Sequence, residues 1–154
     1  DLAVRLTGLK DSLELNPYNM PLSIRKFITI ASVIAYNPDV IIMDEPTAGQ
    51  DKSGLEHLSK IIRTLRGLGK TIITITHDME FVLENFDRVV VMANKKKIAD
   101  GTAREVFWNF EVMEKAALKL PAICELAARV GLSGGITTED ELIETLKGEN
   151  NGHK

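Results

Sequence analysis

The segment 40–45 reads Val-Ile-Ile-Met-Asp-Glu and constrains the fold of this chain more than any other. Four apolar residues, of which three are β-branched, are too few for a helix and predict a buried strand. The strand ends on two adjacent carboxylates, which are unfavourable at the edge of a core unless a cation or a proton compensates them. A polar turn is the simpler interpretation, and the residues that follow decide between the two.

A helix and a second strand follow these acids. Ser53–Glu56 has the form of a capping box, which predicts the start of a helix. The apolar stripe of that helix is Leu55, Leu58, Ile61, Ile62 and Leu65. Gly67–Gly69 ends it, and the β-branched segment Thr71–Thr76 predicts the second strand. The order strand, helix, strand over residues 40–76 predicts one βαβ unit of a parallel sheet.

A histidine stands where the second predicted strand ends. Ligands in open parallel sheets bind outside the carboxyl ends of the strands, so His77 is expected near the same phosphate as Asp44 and Glu45. In nucleotide hydrolysis a first acid holds Mg²⁺ and a second polarises the attacking water. A histidine after a strand is more often structural, and only its combination with the two acids favours catalysis.

The other segments of the first hundred residues predict helices and one hairpin. A helix is expected to end near Gly8, and the apolar residues of Leu22–Ala35 predict a helix that is buried on most sides. Asp78 is expected to cap a short helix. Arg88–Met92 and Lys96–Ala99 predict an antiparallel hairpin.

The chain after residue 103 is predicted to be helical. Capping boxes are recognised at Thr102–Glu105 and Thr138–Glu141, and an amphipathic helix is expected after Pro121. The segment 148–154 is polar and is expected to fray.

Composition limits the class of protein. The 154 residues carry a net charge of −3 and are 44% hydrophobic, which suits one ordinary domain with one core. The acidic balance argues mildly against nucleic acid as a partner. Cys124 is the single cysteine, so no internal disulfide can form, and we expect it to be a small buried residue. No apolar run approaches the ~20 residues that cross a bilayer.

Three of these segments together resemble one family. Val40–Glu45 resembles the Walker B strand of ATP-binding-cassette (ABC) ATPases, including the catalytic glutamate. Pro46–Asp51 resembles the D-loop that follows it, and His77 resembles the switch histidine. The resemblance extends over essentially all of the chain.

Other segments resemble one subgroup of that family. Asn16–Tyr18, Asp44–Gly49 and Asp100–Phe107 are similar to the ATPases of energy-coupling-factor importers, which take up cobalt, nickel and vitamins. The tail around Leu118–Pro121 is similar to the C-terminal helical extension of that group.

The resemblance implies roles for particular residues. Asp44 would hold Mg²⁺, directly or through water, Glu45 would orient or activate the attacking water, and His77 would contact the γ-phosphate. Ala48, Gly49 and Asp51 would face a partner subunit. The implied cofactors are ATP and Mg²⁺. The implied partners are a second ABC ATPase subunit and a transmembrane transporter component, with the protein peripheral on the cytoplasmic face of the membrane.

The expected fold class is α/β, as the C-terminal part of a P-loop NTPase of the ABC type. It comprises a partial, mostly parallel sheet with flanking helices and a helical C-terminal extension. Residues 1–102 would form the partial ATPase domain, 103–148 the extension and 149–154 a frayed tail. A partial sheet has an exposed edge, so we expect a tendency to self-associate.

The signature motif departs from the family pattern. That pattern, Leu-Ser-Gly-Gly-Gln, binds the partner's γ-phosphate with its serine and backbone amides. Aligned without a gap its positions are residues 20–24, Met-Pro-Leu-Ser-Ile, and with a two-residue deletion Leu22 and Ser23 match. Both alignments lose the glycines that permit close backbone approach. Ser23 is the candidate phosphate contact, and a helix N-cap is the alternative role.

A larger departure is that the P-loop pattern G-x-x-x-x-G-K-[ST] occurs nowhere in the sequence. Gly69–Thr71 matches its last three positions, but Thr64 stands where the first glycine belongs. The tripeptide also leads into a strand, whereas a P-loop opens a helix. We therefore expect the C-terminal part of a longer ATPase, and a 154-residue chain that is inactive by itself.

Two alternatives from other functional classes remain open. The C-terminal halves of SMC-type chromosome ATPases also carry these motifs without a P-loop, but residues 1–19 show none of the heptads that should precede them. A non-catalytic regulatory module would keep the fold while its signature has changed. The Lys95–Lys97 run is expected to be a solvated hairpin tip, with a contact to anionic lipid as its alternative.

Overall fold

The computed structural model describes residues 2–132 and 135–151, with the side chains of 148–151 left out. The chain divides into two compact units, residues 1–77 and 78–154.

The first unit contains a βαβ crossover preceded by two helices. Its helices are α1 (Leu2–Thr7), α2 (Leu22–Ala35) and α3 (Lys52–Gly67), and its strands are β1 (Val40–Asp44) and β2 (Thr71–Ile75). The strands pair in parallel, with Ile42 opposite Ile73 and Asp44 opposite Ile75. This arrangement confirms the predicted βαβ unit.

One face of this two-stranded sheet is exposed, so the expectation of a fully buried β1 strand was wrong. Ile41 and Met43 are buried, whereas Val40 and Ile42 are 51% and 64% exposed. Successive side chains of a strand point to opposite faces. No described residue of this unit buries the face that carries Val40 and Ile42, and the continuous apolar run gave no sign of this difference.

Helix α2 has the predicted bounds but is buried on one side only. Phe27, Ala31 and Ile34 are buried, while Leu22 and Val33 are 56% and 40% exposed. The helix packs against α1, and the ring of Phe27 stacks on that of His57 in α3 at 4.8 Å. The expectation of burial on most sides was therefore wrong, because the helix meets its neighbours along one stripe.

Helix α3 begins two residues earlier than its predicted capping box implied. The side chain of Asp51 accepts a hydrogen bond from the Gly54 amide at 2.8 Å, so Asp51 is the N-cap and Ser53 lies inside the first turn. The interior of the helix agrees with the prediction, since Leu58, Ile61, Ile62 and Leu65 are buried.

The second unit is built from a hairpin and five helices within the described residues. Its strands are β3 (Arg88–Ala93) and β4 (Lys96–Thr102), and its helices are α4 (Met79–Asn85), α5 (Ala103–Phe107), α6 (Phe110–Lys115), α7 (Ala122–Arg129) and α8 (Glu139–Asn151). The strands pair antiparallel with a register shift between Val91 and Met92. Asn94 and Lys95 both have positive φ in the turn, as a tight hairpin requires. The predicted hairpin is confirmed.

The core of this unit joins the hairpin to the helices on both sides of it. Val91 of β3, Met79 of α4 and Phe107 of α5 lie in one apolar cluster with the fully buried Cys124. Residues on both sides of the proposed boundary at 102 and 103 contribute to that cluster. The division into 1–102, 103–148 and 149–154 stays a prediction.

Two of the three capping predictions in this unit are confirmed, and the capping box predicted at Thr138–Glu141 was wrong in one of its two bonds. Asp78 caps α4, and Thr102 with Glu105 forms a complete capping box. Thr138 accepts from the Glu141 amide, but the Glu141 carboxylate bonds the Thr137 amide at 2.8 Å instead of closing the box. Helix α8 continues to Asn151, past the glycine at which fraying was expected, and residues 152–154 lie outside the described residues.

Within residues 2–132 and 135–151, no helix combines the length and apolar character that crossing a bilayer requires.

Candidate functional site

The predicted catalytic residues meet at the carboxyl ends of β1 and β2. Asp44 is the last residue of β1, and Glu45 follows it directly. The Glu45 amide donates to the Ile75 carbonyl at 2.8 Å, which continues the ladder by one step beyond the paired strands. Thr76 separates His77 from the end of β2. Because Asp44 pairs with Ile75 in the parallel register, His77 lies beside Glu45.

The Glu45 carboxylate is held through both of its oxygens. Nδ1 of His77 lies 2.8 Å from Oε1, and with its proton on Nδ1 the imidazole donates this bond. The hydroxyl of Thr76 donates to Oε2 at 3.2 Å. The side chains of His77 and Glu45 are 79% and 36% exposed, so a ligand in solvent has access to both.

These contacts keep Glu45 ionised. Partial desolvation acts to raise the pKa of its carboxyl, but the hydrogen bonds from His77 and Thr76 outweigh it and leave the pKa below its usual value. Glu45 is therefore a hydrogen-bond acceptor at neutral pH, which is the state required to orient a water molecule.

The main chain of Glu45 adopts a conformation that is uncommon for a residue with a side chain. Its φ is +44°, in the left-handed region. Its carbonyl accepts hydrogen bonds from Nζ of Lys26 at 2.7 Å and from the Ala48 amide at 3.3 Å.

Sequence reasoning missed both Lys26 and Thr76 as neighbours of Glu45. Thr76 could have been found, because it adjoins His77 at the end of the same predicted strand. Lys26 gave no local signal, since its contact with a residue 19 positions later depends on how α2 packs.

Asp44 is exposed at the end of β1 and lines an apolar groove of about 290 Å³ that also includes Lys26 and Pro46. No group of three or more acidic, histidine or cysteine side chains in the described residues is arranged to hold a metal ion. Mg²⁺ in phosphate-transferring sites is usually bound by one or two carboxylates together with substrate phosphates. The exposed oxygens of Asp44 fit that kind of ligand.

Ser23 lies away from this cluster, in the first turn of α2. Pro21 precedes that helix and makes no side-chain cap, so the alternative role of Ser23 as N-cap was wrong. The Ser23 carbonyl accepts from Nε2 of Gln50 at 3.1 Å, and both residues line a pocket of about 250 Å³ with Asp51. The structure therefore joins Ser23 to the 46–51 loop and not to Glu45 and His77.

The residues predicted to face a partner subunit are accessible. Ala48, Gly49 and Asp51 are exposed, whereas Pro46 and Thr47 are buried and anchor the loop. Gly49 has φ +76° and packs near Leu22, where a side chain would be strained. Their contact with a partner stays a prediction.

Relatives of this chain are ATP-binding proteins of transporters. An ABC transporter ATP-binding protein of Clostridium perfringens is 44% identical over 124 residues, which is 77% of this chain and 22% of that protein. The energy-coupling factor transporter ATP-binding protein EcfA2 of Mycoplasmopsis synoviae is 33% identical over 148 residues, covering 93% of this chain and 48% of that protein. No family model matches the sequence. The chain belongs to the ABC ATPase family.

Solved structures of ABC ATPases share the fold. The structure of cbiO1 from Clostridium perfringens, described as part of the ABC transporter complex cbiONQ, superposes with a TM-score of 0.64 at 36% identity, covering 83% of this chain and 51% of that one. The ATP-binding cassette MJ1267 has a TM-score of 0.68 at 24% identity and shows the fold alone. This ABC ATPase chain spans about half or less of the length of these relatives.

Proposed function

We propose that this chain supplies the hydrolytic residues of an ABC ATPase subunit that couples ATP binding and hydrolysis to the import of a metal ion or vitamin. The observation that carries the proposal is the Glu45 carboxylate, fixed by His77 and Thr76 beside an exposed Asp44 at the ends of two parallel strands. Relatives named as energy-coupling factor ATP-binding proteins support the choice of transporter class.

Each residue has a distinct role in this proposal. The ionised Glu45 accepts a hydrogen bond from the attacking water and orients it. His77, exposed and bonded to that carboxylate, would contact a phosphate oxygen through its other ring nitrogen. Asp44 would hold a Mg²⁺ ion. Bound Mg²⁺ would neutralise developing charge on the phosphates of ATP.

The proposed partners are a second ABC ATPase subunit and a membrane component. The exposed loop residues Ala48, Gly49 and Asp51 would face the second subunit, and Ser23 of one subunit would contact the phosphate held by the other. The description of cbiO1 as part of a transporter complex supports a membrane partner. The protein would then lie on the cytoplasmic face of the membrane, as a peripheral subunit.

The 154-residue chain by itself is proposed to have negligible ATPase activity, because its sequence contains no P-loop pattern to bind the β- and γ-phosphates. The tripeptide at 69–71 does not supply one. Gly69 has φ +79° in a turn, Thr71 begins β2, and Nζ of Lys70 lies 3.2 Å from Asp39. Its lysine is therefore paired with Asp39, which directly precedes β1.

The test compares two proteins, this chain and a full-length ABC ATPase that carries it as its C-terminal part. Mg-ATP binding is measured by calorimetry and turnover by phosphate release. We expect neither in the chain alone and both in the longer protein. Glu45→Gln should abolish turnover in the longer protein and leave binding intact, whereas Glu56→Gln, an exposed glutamate of α3, should leave both unchanged. Turnover by the chain alone that Glu45→Gln abolishes would overturn the inactivity.

A further inference from the structure

The strained main chain of Glu45 requires something to hold it. A residue with a side chain is disfavoured in the left-handed region and persists there where its surroundings determine it. The Ile75 carbonyl binds the Glu45 amide, which fixes one side of the residue to β2. The other side depends on the groups that bind its carbonyl.

Lys26 is the stronger of the two donors to that carbonyl. Its Nζ lies 2.7 Å from the oxygen, compared with 3.3 Å for the Ala48 amide. A hydrogen bond from an ammonium is shorter and stronger than one between neutral groups. The lysine is partly buried in α2, and its bond ties that helix to the residue after β1.

We propose that Lys26 is a positioning residue of the hydrolytic site, whose ammonium holds the Glu45 main chain left-handed and thereby keeps the carboxylate against His77 and Thr76. Rotation of Glu45 to an ordinary backbone conformation would redirect its Cβ and carry the carboxylate away from both donors. The inference rests on the proposed function for its catalytic consequence, while the geometry it describes can be tested without turnover.

The catalytic test uses the full-length ATPase with Lys26→Met, which keeps the aliphatic length and removes the cation. Because small displacements of a catalytic group cost up to about a hundredfold in rate, we expect kcat to fall about tenfold to a hundredfold. KM for ATP should change less than about twofold, since the substitution leaves unchanged the interactions that bind the ground state and the transition state equally. Lys26→Arg should recover most of kcat. Arg25→Met, an exposed cation of the same helix, is the matched control and should behave as the parent.

The structural test uses the 154-residue chain and nuclear magnetic resonance. The Glu45 Cα and Cβ shifts report φ, and Overhauser contacts report the distance from Glu45 to the His77 ring. Lys26→Met should shift Glu45 to an ordinary backbone conformation and weaken these contacts, and Lys26→Arg and Arg25→Met should not. Lys26→Gln serves as the second variant should the methionine form not fold.

Failure of the positioning role of Lys26 and failure of the proposed function would give different results. Parent-like shifts and contacts in Lys26→Met, or a parent-like kcat in a folded Lys26→Met ATPase whose Glu45→Gln form is inactive, would overturn the positioning role. An ATPase whose turnover survives Glu45→Gln would overturn the proposed function, and the resonance measurements would still decide whether Lys26 sets the geometry.

Discussion

Single side chains in this molecule are fixed by neighbours that are far away in sequence. Glu45 is bound by Lys26, Thr76 and His77, and of these pairings only the one with His77 follows from the predicted order of the strands. Glu141 in the second unit is a comparable case, because its carboxylate pairs with Arg104 of α5, 37 residues earlier, in addition to its bond from the nearby Thr137 amide. Both residues show that an ionised carboxylate acquires its donors from tertiary packing.

Glu141 makes stability depend on pH. The bond from the Thr137 amide, followed by that from Arg104, lowers the pKa of its carboxyl to about 2 from 4.5. A lowered folded-state pKa stabilises the fold above the unfolded value, and this contribution is lost as the pH falls toward 2. Denaturant unfolding should therefore show Glu141→Gln less stable than the parent at pH 7, with the gap closing between pH 4.5 and 2.

A stability difference between Glu141→Gln and the parent that stays constant from pH 4.5 to 2 would contradict the lowered pKa of Glu141. Glu144→Gln, at an exposed position of the same helix, is the matched control and should differ little from the parent at any pH.

Helix ends in this molecule show how local patterns specify elements. The capping box at Thr102–Glu105 forms as the sequence predicts, and the nearby Asp100 does not compete with it, because Asp100 lies within β4 and binds Arg88. Before α3 two such residues compete, Asp51 and Ser53. The extended backbone of Asp51, with ψ of 179°, gives it the cap geometry, and the turn through the preceding loop produces that backbone. The sequence pattern alone could not choose between them.

The position of this cap can be measured. Asp51→Ala should destabilise the first unit by about 1 kcal/mol, the usual cost of losing an N-cap, whereas Ser53→Ala should change stability by a few tenths at most. Chemical denaturation of the two variants and the parent is the measurement. An equal loss in both would mean that Ser53 also caps the helix.

The helices, the strands and their order could largely be predicted from the sequence. Which of their faces are buried could not. The periodicity of α3, the β-branched β2 and the hairpin turn each depend on residues that are near in sequence, and all three formed as expected. The exposure of Val40 and Ile42 depends on what lies over the sheet, and the burial of one stripe of α2 depends on α1. The contact between Glu45 and His77 could be predicted, because the order of the strands places the two residues together. The contact with Lys26 could not.

The whole molecule exposes an apolar sheet face in its first unit. Val40, Ile42, Ile73 and Ile75 are all at least 46% exposed, and the register aligns Ile42 with Ile73. Adjacent apolar residues on an open two-stranded sheet favour association with other molecules.

Self-association should therefore be reduced when this face is made polar. The double variant Ile42→Thr with Ile73→Thr is expected to sediment with a larger monomer fraction than the parent, because it removes apolar surface that is already in solvent. Leu68→Thr, at an exposed position after α3, is the control and should leave the distribution unchanged. An unaltered distribution in the double variant would show that other surfaces bring the molecules together.

The buried Cys124 is a natural probe of opening in the second unit. Its side chain is fully enclosed, Sγ donates to the Ile136 carbonyl at 3.4 Å, and burial raises the pKa of the thiol to about 11. A disulfide reagent reacts with the thiolate of an accessible cysteine, and this one is neither ionised nor within reach. Because it is the only thiol in the sequence, its labelling rate would report how often the part of the second unit around Cys124 opens.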